Sequence, residues 1–245
     1  MKKWSFEEDY ILCKVCGEHK YVFAEDELLD TLISKLGEAG FFGRSRSAVK
    51  KRAYNCIGLL HGRDMSSVPD LQKERCVWFF NRKQTQHISE ELQSYINRNY
   101  VRNDVADLGA IATTAPNMTA LLPIGSVGPT FQELLFIYIS RLNTGDPEIY
   151  HRAQISRATF SNIRSGKKGV SKKTLKQLCF GLKLTYDEAV ALMAAADCAF
   201  NPSDIGDLVV VYFLKNRIYD TYEVNAELYE RKQPLLFSGD VAYYK

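Results

Sequence analysis

Apolar residues recur at helical spacing through most of this chain, in short runs broken by glycine, proline, serine or charge. The first run follows Trp4-Ser5-Phe6-Glu7-Glu8-Asp9, where Ser5 is a good N-cap and the acids fall in a positive first turn. Leu12, Val15 and Cys16 form its apolar stripe. Leu28, Leu29, Leu32, Ile33 and Leu36 form a second stripe, ended by Gly37 or Gly40. Val49, Ala53, Ile57 and Leu60 form a third, capped by Ser45 or Ser47. Two further patterns follow, one with Leu71, Val77, Trp78 and Phe79 or Phe80, the other with Ile88, Leu92, Tyr95 and Ile96. Trp78 beside two phenylalanines reads as a helix packing onto the first three rather than as a base-stacking platform.

Between residues 102 and 129 the periodicity stops and Ala, Thr, Gly and Pro dominate, the composition of an interdomain linker. Helical spacing resumes in FQELLFIYISRLN after Thr130, with Leu134, Leu135, Ile137, Tyr138 and Ile139 available to a core. Pro147 sits where a helix starts. Ser156 and Gly166 bracket a short helix packed through Ile155, Ala158, Phe160 and Ile163. Ser171 caps a helix with core positions Leu175, Leu178, Cys179 and Leu182, and Thr185 caps the next. Two last helices are expected in SDIGDLVVVYFLKNR and TYEVNAELYERKQ. The pattern therefore predicts an all-α protein. Its expected parts are a three-helix domain over 1–62, a helical extension over 63–101, a linker over 102–129, a five-helix domain over 130–196 and an acidic helical extension over 197–245.

Charge adds what periodicity cannot. The net charge is only +3, yet residues 152–183 hold nine basic side chains and no acid. They are Arg152, Arg157, Arg164, Lys167, Lys168, Lys172, Lys173, Lys176 and Lys183. Arg157, Ser161 and Arg164 fall at steps of four and three and so share a helix face. A short capped helix with a basic face suits the major groove. Residues 43–52 form a second basic run, with Arg44, Arg46, Lys50, Lys51 and Arg52 and again no acid. After Lys183 the sign inverts, with nine acids from Asp187 to Glu230 against Lys215 and Arg217. An acidic segment is repelled by phosphates and is better placed to hold a partner. The run Leu208, Val209, Val211, Tyr212 and Phe213 is apolar nearly all round a helix, which makes this extension a candidate homodimer or protein-partner surface.

Catalytic and metal chemistry have little to stand on. His19, His61, His87 and His151 lack a nucleophile or carboxylate at a telling spacing, and no phosphate-cradling or zinc-protease motif occurs. Six cysteines are scattered, as expected of packed free thiols in a reducing compartment. Cys13-Lys14-Val15-Cys16 alone has ligand spacing, and no second such pair follows, so neither a metal nor a cofactor is expected. The charged N-terminus and the shortness of LVVVYFL argue for a cytoplasmic protein with no membrane segment.

Trp4, the Glu7-Glu8-Asp9 triplet and the run GRSRSAVKKRAYN resemble the Myb/SANT family of three-helix DNA-binding domains over about residues 1–61. That family's regularly spaced core aromatics correspond here to Trp4, a leucine in the Leu29–Leu32 region and Ala53. SRATFSNIRSG, followed by Ser171, Thr174, Leu175, Leu178 and Leu182, resembles the lambda-repressor (XRE, Cro-type) helix-turn-helix family over residues 130–196. The second resemblance implies base contacts around Arg157, Thr159, Ser161 and Asn162, with Lys167 and Lys168 on phosphates. Arg164, Lys172 and Lys173 belong to the same expected surface.

The leading expectation is a double-stranded DNA-binding protein, a transcriptional regulator with two reading heads and no enzymatic activity. The alternative is an interaction or sensing protein of a bacterial anti-phage defence or mobile-element system, whose helical domains hold a protein partner. RNA binding ranks lower, since the pattern offers no aromatic-studded sheet.

Overall fold

The computed structural model describes residues 3–19, 25–63, 66–82, 86–101, 128–142, 144–167 and 169–237. Among these the protein is all-α, with twelve helices and no strand. The expected linker falls almost wholly on residues 102–127, outside those described. The chain divides into two compact units, Met1–Glu91 with Asp220–Lys245, and Leu92–Tyr219. The second unit is thus inserted into the first along the sequence, and residues 197–245 are shared between the two rather than forming one extension.

The first unit contains α1 (Phe6–Glu18), α2 (Glu25–Glu38), α3 (Arg46–Leu60), α4 (Asp70–Asn81) and α12 (Thr221–Glu230). Ser5 caps α1 in a reciprocal box with Glu8, and Ser45 caps α3. The chain leaves α2 through Gly40 at φ +83°, where Phe41 N–H donates to the Leu36 carbonyl at 2.8 Å. Leu12, Val15, Cys16, Leu28, Leu29, Leu32, Leu36, Val49, Ala53 and Ile57 make one buried core, as their spacing predicts.

α4 departs from expectation. Its buried face carries Gln72, Arg75 and Cys76, while Val77 is exposed. The reason is polar: Arg75 reaches the buried carboxylate of Asp9, and Gln72 accepts from Asn55 and donates to the Arg52 carbonyl. Hydrophobicity alone places Trp78, Phe79 and Phe80 correctly against the unit's cores but misplaces Val77 and misses the polar face. Trp78 packs at 5.9 Å from Phe6 and 5.6 Å from Tyr222, and its indole N–H donates to Asp220.

α12 closes the first unit. Phe6 stacks on Tyr222 at 5.6 Å, and Arg82 donates to both Glu223 and Glu227. Tyr10 and Lys14 both donate to Glu230. Glu223 and Glu227 are buried, so this acidic run is consumed inside the unit instead of forming the partner surface its charge suggested.

α5 (Gln86–Asn99) crosses the division, and Leu92 and Ile96 are its buried residues in the second unit. That unit continues with α6 (Phe131–Arg141), α7 (Asp146–Arg152), α8 (Arg157–Arg164), α9 (Lys172–Gly181), α10 (Tyr186–Ala194) and α11 (Ile205–Lys215). Thr130, Ser156, Ser171 and Thr185 all act as side-chain N-caps. On α11, every residue from Asp207 to Leu214 is buried. The apolar surface that suggested a second copy of the chain is therefore covered within the monomer, and with it goes the observation behind a homodimer.

Candidate nucleic-acid interface

α8 is only eight residues long, too short to persist on propensity, so its neighbours must hold it. Phe160 and Ile163 anchor it inward, with the Phe160 ring 6.1 Å from that of Tyr150 on α7. The turn before it passes through Gln154 in the left-handed region at φ +50°. Ser156 Oγ accepts from Thr159 N–H at 3.0 Å. At the far end Gly166 takes φ +68°, and Lys167 N–H donates to the Asn162 carbonyl at 3.1 Å. α7 lies so close to α9 that a Cβ on Gly181 would stand 2.8 Å from the Ile149 carbonyl oxygen. These constraints leave Arg157, Ala158, Ser161, Asn162 and Arg164 exposed on α8, with Thr159 half-buried beside its cap.

The basic stretch is less naked than the sequence suggests, because long-range acids reach it. Arg152 pairs with Glu148, and Arg164 pairs with Asp146 and lies 5.7 Å from the Phe136 ring centre. Lys172 and Lys176 both pair with Asp207 of α11. Burial pushes the Asp207 carboxyl up, but the two ammonium groups hold it below its ordinary value, as a committed ion triad. Lys172 is thus tied to a buried carboxylate. Arg157, Lys167 and Lys173 stay exposed with no ion pair among the described residues, and Lys183 does likewise. Lys168 lies outside the described residues.

The second basic run divides the same way. Arg44 is clamped to Glu8 at 2.7 Å and lies 4.5 Å over the Trp4 ring. Arg52 donates to Asp9 at 2.8 Å and lies 5.1 Å from the same ring. Both side chains are mostly buried, because Glu8 and Asp9 are themselves buried and require counter-charges. Arg44 and Arg52 are thus internal supports of two buried carboxylates. Trp4 lies beneath both guanidinium groups and is half-buried against the core of the unit. Arg46 is exposed and bridges Asp26 and Asp30, while Lys50 and Lys51 are exposed.

Two other features bear on chemistry. A groove of about 740 Å³ in the first unit sets Lys14, Lys35 and Lys232 against Glu18, Glu38 and Glu230, a charge-balanced lining without serine, threonine, cysteine or histidine. Deeper in that unit, the thiols of Cys13, Cys56 and Cys76 meet, their sulfurs all within 4.8 Å of one another. Sequence reading missed this convergence because the ligands come singly from three helices. The signal available was a cysteine on the core face of each.

No family model matches the chain, and neither a curated protein nor a solved structure does. Among the described residues no helix is long and apolar enough to cross a membrane.

Proposed function

We propose that the protein binds double-stranded DNA and acts as a transcriptional regulator, with α8 as its reading element. The observation that carries this is the outer face of α8. Arg157, Ser161 and Asn162 are exposed there on a helix capped at both ends, and Lys167 and Lys173 flank it with no acidic partner among the described residues. Arginine and asparagine are the side chains that read guanine and adenine edges bidentately, and flanking lysines suit phosphates. Arg164 completes the set, since an exposed pair such as Arg164–Asp146 is worth about 0–1 kcal/mol and yields readily to a phosphate. Arg46, Lys50 and Lys51 on α3 supply a second, weaker contact.

Fluorescence anisotropy of the full chain on a duplex selected from a random pool tests this reading. Arg157→Ala and Asn162→Ala should each weaken binding by about 1–3 kcal/mol and relax sequence preference. Lys173→Ala should weaken all duplexes alike and reduce the salt slope by about one. Unchanged affinity in the α8 variants would remove this helix from the interface.

A second reading draws on α6, where Phe136 and Ile137 are 43% and 57% exposed. Such side chains suit a protein partner, as in a defence or mobile-element system. Ile137→Glu leaves DNA affinity intact under the first reading and abolishes partner capture under the second.

A further inference from the structure

Cys13 comes from α1, Cys56 from α3 and Cys76 from α4, and each is at most 1% exposed. Cys13 Sγ lies 3.4 Å from Cys56 Sγ and 3.6 Å from Cys76 Sγ. A fourth thiol, Cys16, is fully buried one turn along α1. Sulfurs around a tetrahedral zinc ion, at zinc–sulfur bonds of about 2.3 Å, stand on the order of 3.8 Å apart. Cys13, Cys56 and Cys76 are thus already gathered at close to the spacing that a shared ion imposes.

Thiols can fill a core as small apolar groups, and on α4 Cys76 is the one fully buried apolar residue. The helix's other buried residues are Gln72 and Arg75, with Trp78, Phe79 and Phe80 packed half-buried beside them. What aromatic docking does not require is that thiols from three helices meet at one point.

We propose that Cys13, Cys56 and Cys76, with Cys16 as the fourth ligand, form a structural zinc site that joins α1, α3 and α4 of the first unit. Binding replaces four S–H bonds by four zinc–sulfur bonds and releases the thiol protons to solvent, with no change of oxidation state. A four-thiolate set leaves no open position, so the ion's role is to hold the fold rather than to activate water. The ligand pattern is one Cys-x-x-Cys on a helix completed by two isolated cysteines from later helices.

The test is metal analysis of the full chain purified without chelator. About one zinc per chain is expected, released when an organomercurial titrates the thiols. Cobalt loading should give the intense ligand-field bands of tetrahedral thiolate coordination, a readout that does not depend on any variant folding. Cys56→Ser and Cys76→Ser should lose the metal, and Cys198→Ser, outside the cluster, should keep it. A chain free of zinc after expression with the metal, giving no cobalt spectrum and an unfolding midpoint indifferent to added zinc, would overturn the proposal.

Discussion

Asp9 on α1 and Arg75 on α4 form an ion pair at 2.6 Å with both side chains 2% exposed. Arg52 from α3 donates to both carboxylate oxygens, so one acid ties three helices together. Removing Asp9 leaves the buried Arg75 guanidinium without its counter-charge, which costs about 3–5 kcal/mol. Asp9→Asn should lower the unfolding free energy of the full chain in urea by that order, and Arg75→Ala, which leaves Asp9 paired with Arg52, by less. A loss under about 1 kcal/mol in Asp9→Asn, on the order expected for an exposed pair, would mean that water reaches the pair.

The two basic runs can be sorted by experiment. Arg44→Ala and Arg52→Ala should reduce stability, since both arginines support buried Glu8 and Asp9, and leave duplex affinity of the folded protein unchanged. Lys51→Ala should do the opposite. Paired melting and anisotropy curves separate the two effects, and an affinity loss in a well-folded Arg52→Ala would return that residue to the interface.

Gly181 is fixed by closeness rather than by backbone angle. A methyl there would stand 2.7 Å from the Ala153 Cβ and 2.8 Å from the Ile149 carbonyl oxygen, neither of which can move without shifting α7. Gly181→Ala should therefore destabilise by about 1–3 kcal/mol, although alanine favours a helix. Differential scanning calorimetry measures this, and a rise in midpoint would show that α7 can retreat cheaply.

Glu223 gives the stability a pH signature. Burial pushes its carboxyl up to about 7, and the Arg82 guanidinium only partly offsets this. The folded chain thus holds that proton more tightly than the unfolded chain does. Its contribution is present below the ordinary value of 4.5 and is lost as pH rises through about 7. The melting midpoint should fall across that window, and Glu223→Gln should flatten the fall. Identical pH profiles for the two proteins would place the titrating group elsewhere.

Phe213 is fully buried on α11, a helix enclosed from Asp207 to Leu214. Phe213→Glu should therefore unfold the second unit rather than dissociate a dimer, with loss of far-ultraviolet ellipticity. A folded monomeric variant would instead mark that face as an interface between copies.

Helix positions were legible in the sequence because they depend on local chemistry. Ser5, Ser45, Ser156, Ser171 and Thr185 cap the helices they are expected to cap, and Gly166 ends α8 with a left-handed turn. Caps, periodicity and glycine conformation act within a few residues, so the all-α class and the exposed face of α8 follow from the chain alone. Which charges are free does not follow. Asp207 lies 35 residues from Lys172, Asp9 lies 43 from Arg52, and Glu223 lies 141 from Arg82. Counting charge within a window cannot find such partners, because a buried carboxylate selects its counter-ion by tertiary proximity. The same holds for Cys13, Cys56 and Cys76. Each reads singly as a small core residue, and only the packing of α1, α3 and α4 brings the three sulfurs to one point.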